Sequence, residues 1–382
     1  MDFDFDETQK AIRAHCKKML AELVTEESLK ALEAEPEGHG IHQAAWDALA
    51  RSEMLGVALP TNVGGAGLGL MELSLLLQQI GRTVAPIPVV PTLVMGALPL
   101  AEFGSEAQQA LWLPKIIRGQ TMWTAALHEP GGRDPAAPTT TATPVAGGGG
   151  WLLTGQRHAV PAAHVAERIW VPAQCGDAGV GVFMIDPKAD GVELELQQAT
   201  DGSRLGRLTL EQVHVAEDGV LGEIGQGASI VAWLVERVRL AQSAVMLGLA
   251  EQAMFMTAHY SGQREQFGQP IGTFQAVSQR MGDVFIDVTA MRATFWQAAW
   301  RLSQGLEASR EVAIARFWAA EGGHRVVAAA QHIHGGTGFD RDYPLHRYFL
   351  RAKQIEFDLG GAHVQLARLG EMIAQRGSAV EE

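Results

Sequence analysis

The chain has 382 residues, 47% of them apolar, and a formal charge of 30 − 43 = −13 at neutral pH. This length exceeds one ordinary core and predicts two or three domains sharing packed faces. The acidic balance excludes a polyanion-binding face, which needs clustered Lys and Arg, so no nucleic acid is expected as a partner; an anionic small ligand needs only a few local cations. Cys16 and Cys175 are too few and too far apart for a disulfide framework or a zinc site. The acidic start Met1-Asp2-Phe3-Asp4-Phe5-Asp6 lacks the basic and apolar regions of a signal peptide. No apolar run reaches the ~20 residues of a membrane helix, so the expected setting is the cytoplasm, with no membrane span.

In chain order, apolar residues recur at spacings of three and four over Glu7–Thr25, Gln43–Ser52, Leu70–Gly81 and Glu106–Ile117, which predicts helices. Pro60, the glycines from Gly64 to Gly69, and Pro86, Pro88 and Pro91 punctuate them. Between about Thr121 and Leu221 the pattern changes to short runs bounded by turn residues. Strands are expected at Trp151–Leu153, Arg168–Val171, Val182–Ile185, Val192–Leu196 and Leu208–Val215, and Gly131–Gly150 reads as an exposed loop. Helical spacing returns over Ser229–Gln263, Thr273–Leu306, Glu311–His332 and Val364–Gln375. The fold class is therefore α+β: an N-terminal α-helical domain (1–119), a small middle β-domain (120–225) and a C-terminal four-helix bundle (226–382). Trp296, Trp300 and Trp318 at helical spacings read as packing, and no histidine, including His332 and His334, has metal-ligand spacing.

Four strings carry chemistry. Pro60-Thr61-Asn62-Val63-Gly64-Gly65-Ala66-Gly67-Leu68-Gly69 could pass for a dinucleotide loop, but no strand precedes it and the third fingerprint glycine would fall on Leu70, so a helix–turn–helix link is expected. Ala126-Leu127-His128-Glu129-Pro130-Gly131 opens the β-region. Arg264-Glu265-Gln266-Phe267-Gly268-Gln269-Pro270-Ile271 is followed by Phe274-Gln275. A guanidinium grips a pyrophosphate, a Phe packs on a ring, and a Gln amide both donates and accepts. His334-Gly335-Gly336-Thr337-Gly338-Phe339, with Tyr343-Pro344 and Arg347 behind it, supplies glycines that permit close backbone approach.

These strings resemble those of the acyl-CoA dehydrogenase family, and together they span essentially the whole chain. The resemblance implies FAD as cofactor, an acyl-CoA thioester as substrate, α,β-dehydrogenation as in β-oxidation, and electron-transfer flavoprotein as electron acceptor. It implies a tetramer in which Arg264, Phe267, Gln275, His332, Gly335 and Gly336 meet a neighbour's FAD. It also implies a glutamate base at one of two places, and family spacing puts those places at Leu359 (with Gly360 and Gly361 after it) and at Val238, beside Arg239. Neither can take a proton. The carboxylates left as candidates are Glu236, about 200° around the helix from the required face, and Asp358, beside the first vacant position. In the β-region, the family's aromatic residue and hydroxyl that touch the flavin ring correspond to Ala159 and Pro161, and its Gly-Ser-Asp to Gly132-Arg133-Asp134. The wall for the chain's own flavin is thus depleted, while the residues serving a neighbour's flavin remain. This is similar to the degenerate partner subunit of bacterial heterotetrameric, steroid side-chain-type acyl-CoA dehydrogenases. The alternative is a self-sufficient homotetramer using a displaced carboxylate.

Overall fold

The computed structural model describes residues 4–35, 38–132 and 134–378, and Arg133 of the Gly132–Asp134 string lies outside them. Helix α1 (Glu7–Leu23) starts where the Asp6 carboxylate accepts the Gln9 N–H at 2.8 Å and the Gln9 side-chain oxygen accepts the Asp6 N–H at 3.2 Å, satisfying end groups a helix leaves bare. Ile12, Cys16 and Leu20, four residues apart, form its buried stripe. Helices α2 (Glu26–Glu33), α3 (Gln43–Arg51) and α4 (Leu70–Thr83) follow. The Pro60–Gly69 string is the turn expected, with no strand before it; a side chain on Gly65 would stand 2.2 Å from the Leu59 carbonyl. The proline-rich stretch after α4 is more regular than its punctuation suggests. Val90–Ala97 coils as a π-helix and continues into α5 (Leu98–Phe103), because Pro91 sits at the first turn, where no N–H is required. Helix α6 (Glu106–Ile117) carries a second capping box, from Ser105 and Gln108.

Seven strands form the middle sheet: β1 (Met122–Ala125), β2 (Thr141–Pro144), β3 (Trp151–Pro161), β4 (Ala166–Gln174), β5 (Val180–Ile185), β6 (Val192–Gln198) and β7 (Arg204–Val215). The order is β1-β4-β2-β3-β7-β6, with β5 on β4. Strand β2 lies inside the stretch expected as loop. Its Thr141–Pro144 pairs antiparallel with Trp151–Thr154 and buries Ala142, which hydropathy over a Thr- and Pro-rich run does not announce. The sheet closes on Leu153, Ile169, Val171, Phe183, Leu208 and Val213.

The chain then returns to helices: α7 (Gly227–Gln263), a hairpin of β8 (Glu265–Gln266) and β9 (Gln269–Pro270), α8 (Gln275–Ser303), α9 (Ser309–His334), the single turn α10 (Gly336–Phe339), α11 (Leu345–Phe357) and α12 (Ala362–Ser378). This is the helix–sheet–helix order the sequence predicts. Two compact units result. One gathers α1, α4, α8 to α12 and α7 from Arg239 onward. There α4 and α7 cross at glycines: a side chain on Gly81 or Gly248 would run into the Val245 or Gln78 carbonyl. Beside this crossing the buried Glu251 accepts from Gln78 (2.9 Å) and Arg292 (2.7 Å). The other unit holds α2, α3, α5, α6, the sheet and the first turns of α7. Trp296 packs edge-on against Phe5 and Phe295 as expected, whereas Trp300 is 46% exposed, on the outward face of α8. Among the described residues no helix is long and apolar enough to cross a membrane.

Candidate functional site

Three of the predicted site residues lie on or beside one hairpin. Arg264 directly follows α7, its N–H donating to the Tyr260 carbonyl, and its own carbonyl accepts the Ile271 N–H, both at 2.8 Å. Between the paired Gln266 and Gln269 the chain turns through Phe267 (φ +54°) and Gly268 (φ +78°). Two positive φ values make a hairpin turn of the kind usually built from Asn-Gly. Here a phenylalanine occupies the first position and is 94% exposed, touching Phe274 edge-on at 6.1 Å. The arrangement places a ring at the hairpin tip despite a backbone cost of roughly 1–2 kcal/mol. Arg264 and Gln275 are also exposed, Gln275 opening α8.

The second cluster ends α9. Gly335 (φ +59°) terminates the helix, and Gly336 opens α10. Gly336 has no left-handed φ, and a side chain there would meet no atom within 4 Å. Neither backbone nor packing within this chain requires glycine at 336, so the bare backbone fits close approach by a flat or phosphorylated ligand. Of the two histidines, His332 is exposed, but His334 is 3% exposed and engaged on three sides. Its Nδ1 lies 2.8 Å from the Ala330 carbonyl, its Nε2 3.1 Å from the Tyr343 hydroxyl, and its ring stacks on Tyr260 at 4.2 Å. A carbonyl only accepts, so Nδ1 carries the proton and Nε2 accepts from Tyr343. Burial lowers the imidazole pKa against the opposing effect of the Ala330 carbonyl, which keeps the ring neutral.

The two positions at which the resemblance leads one to expect a base are buried and apolar: Leu359 is 6% exposed and Val238 1%. Leu359 also adopts φ +50°, an outlier for a bulky side chain. The turn holding it is clamped from several elements. Arg316 of α9, fully buried, donates to the carbonyls of Ile355, Glu356 (3.4 Å) and Asp358 (2.7 Å), satisfying the C-terminal end of α11. Burial brings its pKa down to about 10, opposed by Asp358 and Glu356. Gln365 donates to the Gly360 carbonyl at 3.0 Å, Arg239 reaches the Leu359 carbonyl at 3.5 Å, and Gln242 donates to the Asp358 carboxylate at 2.5 Å. The candidate Asp358 is thus held within the clamp. Glu236 faces Arg237 at 3.8 Å, whose guanidinium lies 3.6 Å above Trp233 and whose pKa burial lowers to about 10, with Glu236 and Glu102 opposing.

In the sheet, Glu129 is a structural residue. It pairs with the fully buried Arg157 at 2.9 Å and accepts from the N–H and hydroxyl groups of Thr139 and Thr140. Burial alone would raise its pKa, but those donors and Arg157 together hold it below the usual range. Arg157 also reaches the Pro172 carbonyl, and burial takes its pKa to about 10. The His158 N–H donates to the His128 carbonyl at 3.1 Å, setting the two imidazoles 6.4 Å apart. Ala159 (φ +50°) forms the bulge that follows, and Pro161 ends the strand. The sheet offers no ring or hydroxyl at positions 159 and 161. Among the described residues, no three His, Cys, Asp or Glu gather for a metal.

The α–β–α order, with an exposed arginine–phenylalanine hairpin and an open glycine turn, agrees with the fold the sequence resemblance implies. Comparison with known proteins makes the assignment: the acyl-CoA dehydrogenase N-terminal domain matches residues 6–120 and the C-terminal domain residues 225–374, so the chain belongs to the acyl-CoA dehydrogenase family, whose cofactor is FAD. It is 39% identical to acyl-CoA dehydrogenase FadE27 of Mycobacterium tuberculosis, over 86% of this chain and 88% of that one. Two solved structures are similar throughout. One is a variant of the Tcur3481–Tcur3483 steroid ACAD, at 41% identity and TM-score 0.90, covering 97% of this chain and 99% of that one. The other is the ChsE4–ChsE5 complex of Mycobacterium tuberculosis, at 36% and 0.91, covering 98% and 99%.

The clamp residues Gln242, Arg316 and Gln365 and the stack on His334 have no sequence motif of their own. The Tyr343-Pro344 string was the one available pointer.

Proposed function

We propose that this chain is the base-lacking subunit of a heterotetrameric acyl-CoA dehydrogenase and completes the FAD site of a catalytic paralogue. One contrast carries the reading. Both positions where the family keeps its base hold buried apolar side chains, while Arg264, Phe267, Gln275 and Gly336 stand exposed, one of them in strained backbone. Bound FAD supplies the flavin that accepts a hydride from the substrate. Arg264 would bind the cofactor's pyrophosphate, Phe267 and Gln275 would hold it alongside, the Gly335–Gly336 backbone would let it approach, and the exposed His332 would contribute to the same site. The two similar structures are described by pairs of protein names, one of them as a steroid ACAD. This supports a heteromeric assembly acting on a steroid-derived acyl-CoA thioester; the cytoplasmic setting and the electron-transfer flavoprotein as acceptor belong to the same proposal and rest on the family resemblance.

The test is the visible spectrum and oligomeric mass of the chain expressed alone and with a base-bearing paralogue from the same genome. The expected result is a colourless protein alone and a flavin-loaded heterotetramer on co-expression. Stoichiometric FAD in a tetramer of this chain alone overturns the reading. Turnover by that species would then have to fall on Asp358→Asn or Glu236→Gln.

A further inference from the structure

The imidazole of His334 is not used by the proposed function, and it lies at the junction of the two segments assigned to the cofactor. Tyr260, whose ring it stacks on, is the residue whose carbonyl receives the Arg264 N–H and so anchors the start of the hairpin. Gly335 is the next residue along the chain. Tyr343, its hydrogen-bond partner, closes the loop after α10, its N–H donating to the Asp340 carbonyl at 3.2 Å. The Tyr260 and Tyr343 rings also meet edge-on at 6.3 Å. The Tyr260 segment and the neighbouring His334 and Tyr343 segments, the latter two nine residues apart, are therefore tied through one buried ring.

We infer that His334 is the positioning residue that fixes the Gly335–Gly336 turn relative to the Arg264 hairpin, so that both meet one FAD in register. The inference rests on the reading that these segments bind FAD. The geometry gives the tie its direction. With its proton on Nδ1 facing Ala330, the ring has one acceptor, Nε2, and Tyr343 has one proton to give it. Removing that proton leaves a buried acceptor unmet while ring volume and stacking are unchanged.

The experiment measures FAD affinity by fluorescence titration of the flavin-stripped assembly in which the full chain retains FAD, together with its melting temperature without FAD. Tyr343→Phe deletes one hydroxyl, His334→Phe keeps a stacking ring without either hydrogen bond, and Arg264→Ala is the reference. Tyr343→Phe is expected to weaken FAD roughly tenfold, as for loss of a partner from a buried polar group, and His334→Phe at least as much. A packing role alone would show as a lower melting temperature with unchanged FAD affinity. If Arg264→Ala weakens FAD and both other variants bind like wild type, the positioning role is overturned. If Arg264→Ala itself binds like wild type, the cofactor reading falls and the inference with it.

Discussion

Phe267 and Leu359 share a backbone that bulky residues avoid, φ +54° and +50°, in settings that could hardly differ more. Leu359 is buried, and four side chains from α7, α9 and α12 hold the turn around it. Phe267 is 94% exposed, with the edge of Phe274 against it. Strain of this kind persists where the surroundings over-determine it. At Leu359 those surroundings are the chain's own interior. At Phe267 they are what the proposed assembly would supply. The comparison separates a position kept by the fold from one that the proposed partner would keep.

Breaking the clamp has the largest expected effect. Arg316→Ala leaves the carbonyls of Ile355 and Asp358 without their donor and opens a cavity, and should destabilise the protein by about 4 kcal/mol; urea unfolding measures it. Leu359→Gly removes the strain but empties a buried site, for a net loss of about 2 kcal/mol in the same assay. If it stabilised instead, the turn would be strained without being packed.

Acid sharpens the contrast between the two fully buried arginines. Arg316 is met by carbonyls, whereas Arg157 depends on Glu129. A carboxyl whose folded pKa is depressed contributes stability above its unfolded pKa of about 4.3, and that contribution is lost as pH falls through the lower folded value. The melting temperature of the wild type should therefore drop more steeply below about pH 4.3 than that of Glu129→Gln, which starts lower and has no carboxylate to titrate there. Parallel curves would remove Glu129 from the acid response.

The smallest effect has the opposite sign. Phe267→Asn, a residue at ease in left-handed backbone, should stabilise the isolated chain by about 0.5–1 kcal/mol while weakening FAD retention in the assembly. A variant that gained stability and kept the cofactor would show that the exposed ring serves nothing beyond the chain.

Much was legible in the sequence alone. The order of helices, strands and helices followed from hydrophobic periodicity, and the Arg264–Gln275 and Gly335–Gly336 strings could be recognised because their residue types act locally, at fixed spacing. Counting along the chain is what placed the expected base positions at Leu359 and Val238, and the structure shows both side chains buried. The tertiary structure decided the rest. Gln242 meets Asp358 across 116 residues and Arg316 meets it across 42, and such pairs leave no periodic trace. Hydropathy treats His332 and His334 alike, but the turn of α9 exposes one and stacks the other on Tyr260. Strand β2 depended on pairing with β3 rather than on its own propensity. Residue type and spacing fix chemistry that acts within a few residues; burial and pairing between distant segments fix the rest, and they exist only once the chain has folded.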